Sequence, residues 1–273
     1  MVLTNHYDHT DHLSGSLEVE IDRLQEMIRS PKMRMLRENA RQSGTPPARI
    51  RNAATIILID GEPGNFRILM GQRNKALKFM PGALVFPGGA VDRMDGSISS
   101  IDELDALTTK RILDNSPARA SPRAARALAL ACARELAEET GLLLGQNSDT
   151  PPTHKDWFYF KDQNMAPTIS SFRLLARATT PPGAPRRFDT WFFTAPASAV
   201  GFHPQGGFSP SGELENLQWI TPQEAIAANT REITRVILVE LINRLKVDPQ
   251  LNTGFPAPRY YFARNYFKRE VMT

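Results

Sequence analysis

Apolar residues recur at 17, 21, 24, 27 and 28, a spacing of three to four that predicts an amphipathic helix. Pro31 interrupts it, and residues 32–41 follow as a second short helix. Ser43-Gly44-Thr45-Pro46-Pro47 has the composition of a linker. From there the pattern changes. Residues 53–60 are a β-branched apolar run closed by Gly61-Glu62-Pro63-Gly64, and residues 66–71 resume it, which predicts strand, turn, strand. Residues 83–86 read as another short strand entering Pro87-Gly88-Gly89. The stretch 92–121 is polar with weak helical periodicity, and Ile101, Leu104, Leu107, Ile112 and Leu113 imply a short helix packed on something. Ser121-Pro122 combines a helix N-cap with proline at the first helical position; the helix runs to about Thr140 and stops at Gly141.

Further along, residues 157–160 and 171–175 are ambiguous, and the second fits a helix as well as a strand. Residues 187–194 and 214–220 are strands, and Thr221-Pro222-Gln223-Glu224 caps a helix predicted to reach about Leu245. The tail beyond Val247 carries Phe255, Tyr260, Tyr261 and Phe262, too apolar to stand free in water. The implied organisation is a ragged terminus and helical extension over 1–48, a core domain over 49–246, and a C-terminal tail, 247–273, packed on that core.

Composition narrows the classes. A chain of 273 residues, 41% hydrophobic, buries a full core without covalent staples. The single Cys132 excludes an internal disulfide framework, fits a reducing compartment and falls where a small packing residue belongs. A net charge of +4 with acids and bases interspersed argues against a nucleic-acid partner and suits anionic small molecules. No apolar run approaches the ~18 residues of a membrane span, and the polar start is unlike a secretory leader, so the cytoplasm is the expected location. His6, His9 and His12, interleaved with Asp8 and Asp11, read as a disordered tail rather than a metal site. His154 and His203 are isolated.

Candidate chemistry centres on Arg134-Glu135-Leu136-Ala137-Glu138-Glu139-Thr140-Gly141-Leu142. On a helix Glu135, Glu138 and Glu139 fall within an arc of roughly 100°. Like charges so placed repel, and a hard divalent cation bound through oxygen would offset the repulsion. Alone, three such glutamates most often form a solvated acidic face. The upstream segment changes that reading.

Strand, Phe86-Pro87-Gly88-Gly89, loop and then this helix resemble the box of the Nudix hydrolases: Gly, five residues, Glu, seven residues, then Arg-Glu-aliphatic-any-Glu-Glu-any-Gly-aliphatic. Arg134, Glu135, Leu136, Glu138, Glu139, Gly141 and Leu142 meet every defined position of its second half, and Gly89 is its first glycine. The halves are separated. Asp95 stands five residues after Gly89 where the family has Glu, and Arg134 follows Asp95 by 39 positions where the family's spacing is eight, so 31 residues are inserted. Counted back from Arg134 instead, the Glu position holds Arg126.

An interrupted box resembles the coenzyme A diphosphatase branch. That branch's upstream signature is matched identically at Leu69, Arg73, Gly82 and Phe86–Gly89 and conservatively at Met70 and Lys78, with departures at Gly71 and Asn74. Asp92 and the run 186–193 also fit. The resemblance spans roughly 51–245 and leaves the N-terminal arm unexplained.

The resemblance implies an α+β Nudix fold, an α/β/α sandwich with a mixed sheet flanked by helices and an insertion over 96–120. It implies hydrolysis of a diphosphate with Mg²⁺ or Mn²⁺ held by Glu135, Glu138, Glu139 and the Gly89 carbonyl. Arg134 would hold a glutamate of its own helix, Glu138 being one turn on. Glu213 or Glu215, or one of the box glutamates, would activate the water. Arg73, Lys78, Gly88, Gly89 and Arg187 are the expected substrate contacts. Coenzyme A or its thioesters lead the substrates, with ADP-ribose, nucleotide sugars and dinucleotides next; a ligand-binding module without catalysis is the alternative of another class. Neither nucleic acid nor membrane is an expected partner, and a homodimer stays open.

Overall fold

The computed structural model describes residues 14–42, 48–77, 80–117, 120–209, 212–252, 254–264 and 266–272. The histidine cluster at 6, 9 and 12, the linker at 43–47 and Lys78 lie outside the described residues. In chain order the elements are α1 (Ser14–Arg29), α2 (Pro31–Gln42), β1 (Ile50–Asp60), β2 (Arg67–Arg73), β3 (Leu84–Val85), β4 (Gly88–Ala90), α3 (Ala106–Asp114), α4 (Pro122–Thr140), β5 (Gly145–Asn147), α5 (Phe158–Asp162), β6 (Met165–Pro167), β7 (Arg173–Thr179), β8 (Arg187–Pro196), β9 (Leu214–Ile220), α6 (Pro222–Ala227), α7 (Glu232–Val247), β10 (Ala257–Ala263) and β11 (Tyr266–Met272).

Among the described residues nine strands form one sheet, ordered β11-β10-β7-β8-β1-β2-β3, with β4 also on β1 and β9 also on β2. It is mixed: β1 runs parallel to β8 and β7 parallel to β10, while the other pairings are antiparallel. β1 organises the site. One of its edges pairs along its length with β8, from Ile50 opposite Arg187 to Ile59 opposite Pro196. Its other edge is shared, with β4 opposite residues 53–55 and β2 opposite residues 59–60. The Ile56 N–H donates to the Pro87 carbonyl at 3.0 Å, so the chain enters Gly88 and Gly89 already hydrogen-bonded to the sheet.

Alternation along β1 divides the core, because side chains of a strand point to opposite faces in turn. Ala54, Ile56 and Leu58 pack with the α4 side, and Ile57 and Ile59 with Leu24 and Ile28 of α1 and Val236, Ile237 and Leu241 of α7. The mixed sheet thus lies between helices on both faces, an α+β sandwich. α4 is suited to its place by small residues: Ala129, Ala131, Ala133 and Ala137 are buried and let the helix axis approach the strands closely. Ser121 caps its first turn, and Gly141 ends it with φ 78° while donating to the Ala137 carbonyl. Cys132 is fully buried in this packing.

Several expectations change. The helix expected from 221 to about 245 is two helices, because residues 228–231 serve a neighbouring loop: Asn229 donates to the Gly82 carbonyl at 3.2 Å and accepts the Leu84 N–H at 2.9 Å. The ambiguous stretch 171–175 enters strand β7 rather than a helix, and 157–160 is helical, Trp157 ending a single tight turn and residues 158–160 opening α5. In the insertion Ile98, Leu104 and Ile112 are buried, whereas Ile101 and Leu107 are exposed; α3 turns Thr108, Arg111 and Ile112 inward instead. The aromatic tail supplies strands β10 and β11 at the sheet edge.

The insertion folds against α4 and the opposite loop. Arg126 grips Glu103 through Nε at 2.8 and 2.9 Å, and a Cβ on Gly96 would stand 2.9 Å from the Arg123 carbonyl. Asp102 accepts backbone N–H bonds from Ile169 at 2.6 Å and Ser170 at 3.0 Å, and Arg111 donates to the Phe255 carbonyl at 2.7 Å.

Candidate active site

The C-terminal half of α4 lies over the turn made by Phe86-Pro87-Gly88-Gly89, so the two halves of the motif meet in space. Gly88 N–H donates to Glu139 Oε2 at 2.9 Å. At Gly89 an added Cβ would stand 2.4 Å from the Glu135 carboxylate carbon, so the glutamate occupies the space a side chain would need. Gly88 has φ +155°, and a Cβ there would lie 2.6 Å from the Ala54 carbonyl. Both glycines are therefore required by close approach, the first to the sheet and the second to Glu135.

Arg134 lies beneath the cluster. Its Nε and Nη2 bond Asp95 at 2.9 and 3.1 Å, its Nη2 also reaches the Ala90 carbonyl at 3.0 Å, and its Nη1 bonds Glu135 at 2.8 Å. Glu138, the partner expected one turn on, is held more loosely at 3.4 Å. The main partner of Arg134 is Asp95, fully buried at the end of the loop after β4, which also accepts the Asp92 N–H at 2.8 Å. The alternative position for the first box acid, Arg126, points to the insertion instead. Burial, which opposes the guanidinium charge, is outweighed by the Asp95 hydrogen bond and the nearby carboxylates, so the pKa of Arg134 rises.

The glutamates respond oppositely. Burial pushes Glu135 up to about 7, against the pull of Arg134 and with the help of the Glu138 charge. Burial also raises Glu138, and it places Glu139 well above the usual carboxylate range, with Glu135 adding repulsion. One guanidinium, already paired with Asp95, does not neutralise three acids.

The remaining predicted residues divide. Arg73 and Glu213 approach each other at 3.9 Å where β2 meets the start of β9, and the charges of both are felt at Glu139. Glu215 lies further along β9, opposite Gln72. Arg187 is not part of this cluster. It begins β8 opposite Ile50, four residues along β1 from the partner of Gly89, on the order of 13 Å. Its guanidinium donates to the Thr180 carbonyl at 3.2 Å and closes the β7–β8 turn. On the other flank, Asp156 raises Glu138, and Tyr159, its own hydroxyl pKa raised by burial, is raised further by Glu138. Neither residue carries a sequence signal; Asp156 comes from the turn before α5 and Tyr159 from the first turn of α5 itself.

Three carboxylates and a backbone glycine form an all-oxygen donor set suited to Mg²⁺ or Mn²⁺. Their carboxylates face different partners: Glu135 faces Gly89 and Arg134, Glu138 faces Arg134, and Glu139 faces the Gly88 N–H. Among the described residues no three His, Cys, Asp or Glu side chains are gathered as a finished metal cage. Donor chemistry, burial and uncompensated charge fit a divalent cation.

No protein-family model matches the chain. The Caenorhabditis elegans protein named "Putative nudix hydrolase 7" is 30% identical over 188 residues, covering 64% of this chain and 53% of that protein, so the chain spans about half the length of this curated relative. The crystal structure of a NUDIX hydrolase from Alicyclobacillus acidocaldarius superposes with a TM-score of 0.54 at 25% identity, covering 76% of this chain and 99% of that one. The chain has the Nudix fold, and its sequence likeness is to Nudix hydrolases.

Proposed function

We propose that this chain is a metal-dependent hydrolase of a diphosphate linkage, with coenzyme A or an acyl-coenzyme A as the leading substrate. The observation that carries the reading is the seating of Glu135 and Glu139 of α4 on Gly89 and Gly88 across a 39-position separation of Asp95 from Arg134. An acidic face that merely needed water would not be buried against a glycine turn.

Glu135, Glu138 and Glu139, with the Gly89 carbonyl, would hold Mg²⁺ or Mn²⁺. The bound ion would supply charge neutralisation of the diphosphate oxygens and a more acidic water. The chain's own contributions follow from its geometry. Arg134, fixed by Asp95, orients the Glu135 carboxylate, as supporting groups around a metal ligand must. The β4 backbone, tied to β1, keeps the Gly89 carbonyl in register with the helix. Arg73, at the rim, binds a phosphate oxygen through its planar fork. Glu213 or one of the box glutamates takes the proton of the attacking water at a carboxylate oxygen.

The coenzyme A preference rests on the upstream signature at Leu69, Arg73, Gly82 and Phe86, in which the charge of Arg73 acts on Glu139. The test is a steady-state assay over coenzyme A, acyl-coenzyme A, ADP-ribose and NADH with Mg²⁺ and with Mn²⁺, alongside Glu138→Gln. Coenzyme A hydrolysis, abolished in the variant, is the expected result. Hydrolysis confined to ADP-ribose or NADH would overturn the substrate choice. Silence across the panel, or a fully active Glu138→Gln, would overturn catalysis in favour of a binding module.

A further inference from the structure

The arginines of the N-terminal helical extension form a second concave site. α1 packs on α7, on the sheet face opposite α4, and α2 follows it toward the turn between β10 and β11. Between them lies a cavity of about 500 Å³, lined among the described residues by Arg29, Arg34, Arg37, Arg264, Phe262 and Tyr266, with Ile28 at its base. No carboxylate is in that lining, and none of the four arginines makes a salt bridge among the described residues.

Two of the cations are set in place. Arg37 donates through Nη2 to the Ile28 carbonyl at 3.0 Å, and its Cγ lies where a Cβ on Gly183, which has φ +93°, would come within 2.5 Å. Held at stem and tip, Arg37 still has a buried Nη1 with no hydrogen-bond partner. A buried charged donor left without an acceptor is costly. The Arg29 guanidinium stands 4.7 Å from the centre of the Tyr266 ring.

Four guanidinium side chains around one concave surface, with no carboxylate in its lining, give it a positive field that an anion would balance. Guanidinium forks match phosphate oxygens in pairs, and an aromatic wall accepts a flat ring. The volume falls in the range of roughly 300–1,000 Å³ typical of small-molecule sites, whereas a flat anionic surface such as a membrane needs no cavity.

We propose that this cavity binds an oligophosphate anion, two or more linked phosphates, at a site separate from the glutamate cluster. The source is either a nucleoside diphosphate, whose base would stack at Tyr266 and Phe262, or an inorganic oligophosphate.

The test uses the full chain with EDTA present and two probes, ADP and inorganic tripolyphosphate, followed by calorimetry. Saturable binding is expected, weakened at least tenfold in Arg34→Ser/Arg264→Ser and retained within about threefold in Arg34→Lys/Arg264→Lys, with hydrolysis by the glutamate cluster unchanged. Tighter binding of ADP than of tripolyphosphate assigns the nucleotide source, and the reverse assigns the inorganic one. Amide chemical-shift changes in the unsubstituted protein locate the probe without a variant; shifts at Arg29, Arg37 and Tyr266 are expected. Shifts confined to Gly88, Gly89 and α4, equal affinity in the serine variant, no binding of either probe, or binding only to phosphatidylserine vesicles would each overturn the proposal.

Discussion

Arg134 and Asp95 form a paired hydrogen bond at 2.9 and 3.1 Å across 39 positions of sequence, with both side chains out of water. The insertion that separates them therefore leaves the loop after β4 and the last turns of α4 in contact. Because the same guanidinium also holds Glu135, a change at Asp95 reaches the candidate site without touching substrate. Asp95→Ala leaves a buried cation without its main partner, a loss of about 3–5 kcal/mol. Denaturant unfolding should show that loss, and activity should fall even at temperatures where the variant is folded. A variant as stable as the unsubstituted protein would mean that Ala90 and Glu135 suffice to hold Arg134.

The two glycines of the turn should fail differently. Gly89→Ala places a methyl 2.4 Å from the Glu135 carboxylate carbon and must displace that side chain, while the backbone at this position is not in the left-handed region. Misplacing a catalytic group by about 1 Å costs on the order of 10²-fold, so kcat/KM should fall by that order with a small change in melting temperature. Gly88→Ala instead meets the Ala54 carbonyl at 2.6 Å from φ +155° and should lower stability first. Steady-state kinetics and thermal melts of the pair separate the two effects; similar losses in both variants would contradict the assignment.

Local signals and long-range ones were unequally legible. The Ser121 cap, Pro122 and Gly141 bound α4 in sequence as they do in the structure, because capping depends on neighbours within one turn. The apolar run of β1 also marked a strand, but with residues 56–59 all apolar it did not say which face met which helix. By contrast the break between α6 and α7 depends on Asn229 meeting Gly82, 147 positions away, and no periodicity within a helix encodes that. The proximity of Glu138 to Asp156 and Tyr159 is equally non-local. For Arg134, one-turn spacing pointed to Glu138, whereas the folded loop delivered Asp95 at shorter distance. Arg187 was carried by resemblance alone, and its strand register places it away from the glutamates.

Docking of the insertion should depend on Asp102 more than on the Glu103–Arg126 pair. Asp102 accepts two backbone N–H groups from Ile169 and Ser170, and removing it strands those donors. Glu103 is 62% exposed, and a pair of that kind contributes at most about 1 kcal/mol. Asp102→Ala should cost about 1–3 kcal/mol and speed proteolytic cleavage within residues 96–120. Glu103→Ala should do neither. Limited proteolysis read by mass spectrometry checks both, and equal cleavage rates would show that buried Ile98, Leu104 and Ile112 alone secure the segment.

Adding a divalent cation should stabilise the protein through the same charges that strain it. Glu139 is 4% exposed and its acid strength is weakened by burial and by Glu135, so ionising all three glutamates is costly without a counter-ion. At a Mg²⁺ concentration about 100 times its Kd, binding adds about 2.7 kcal/mol to folding, a rise of several degrees in Tm. Glu139→Gln keeps an oxygen that accepts the Gly88 N–H but removes one buried charge. Without metal this variant should melt at or above the unsubstituted protein, and with Mg²⁺ it should lose at least half of the rise. Calorimetric scans of both proteins with EDTA and with Mg²⁺ give the four melting temperatures needed. A full metal response in Glu139→Gln would remove this residue from the metal site and leave its bond to Gly88 as a purely structural contact.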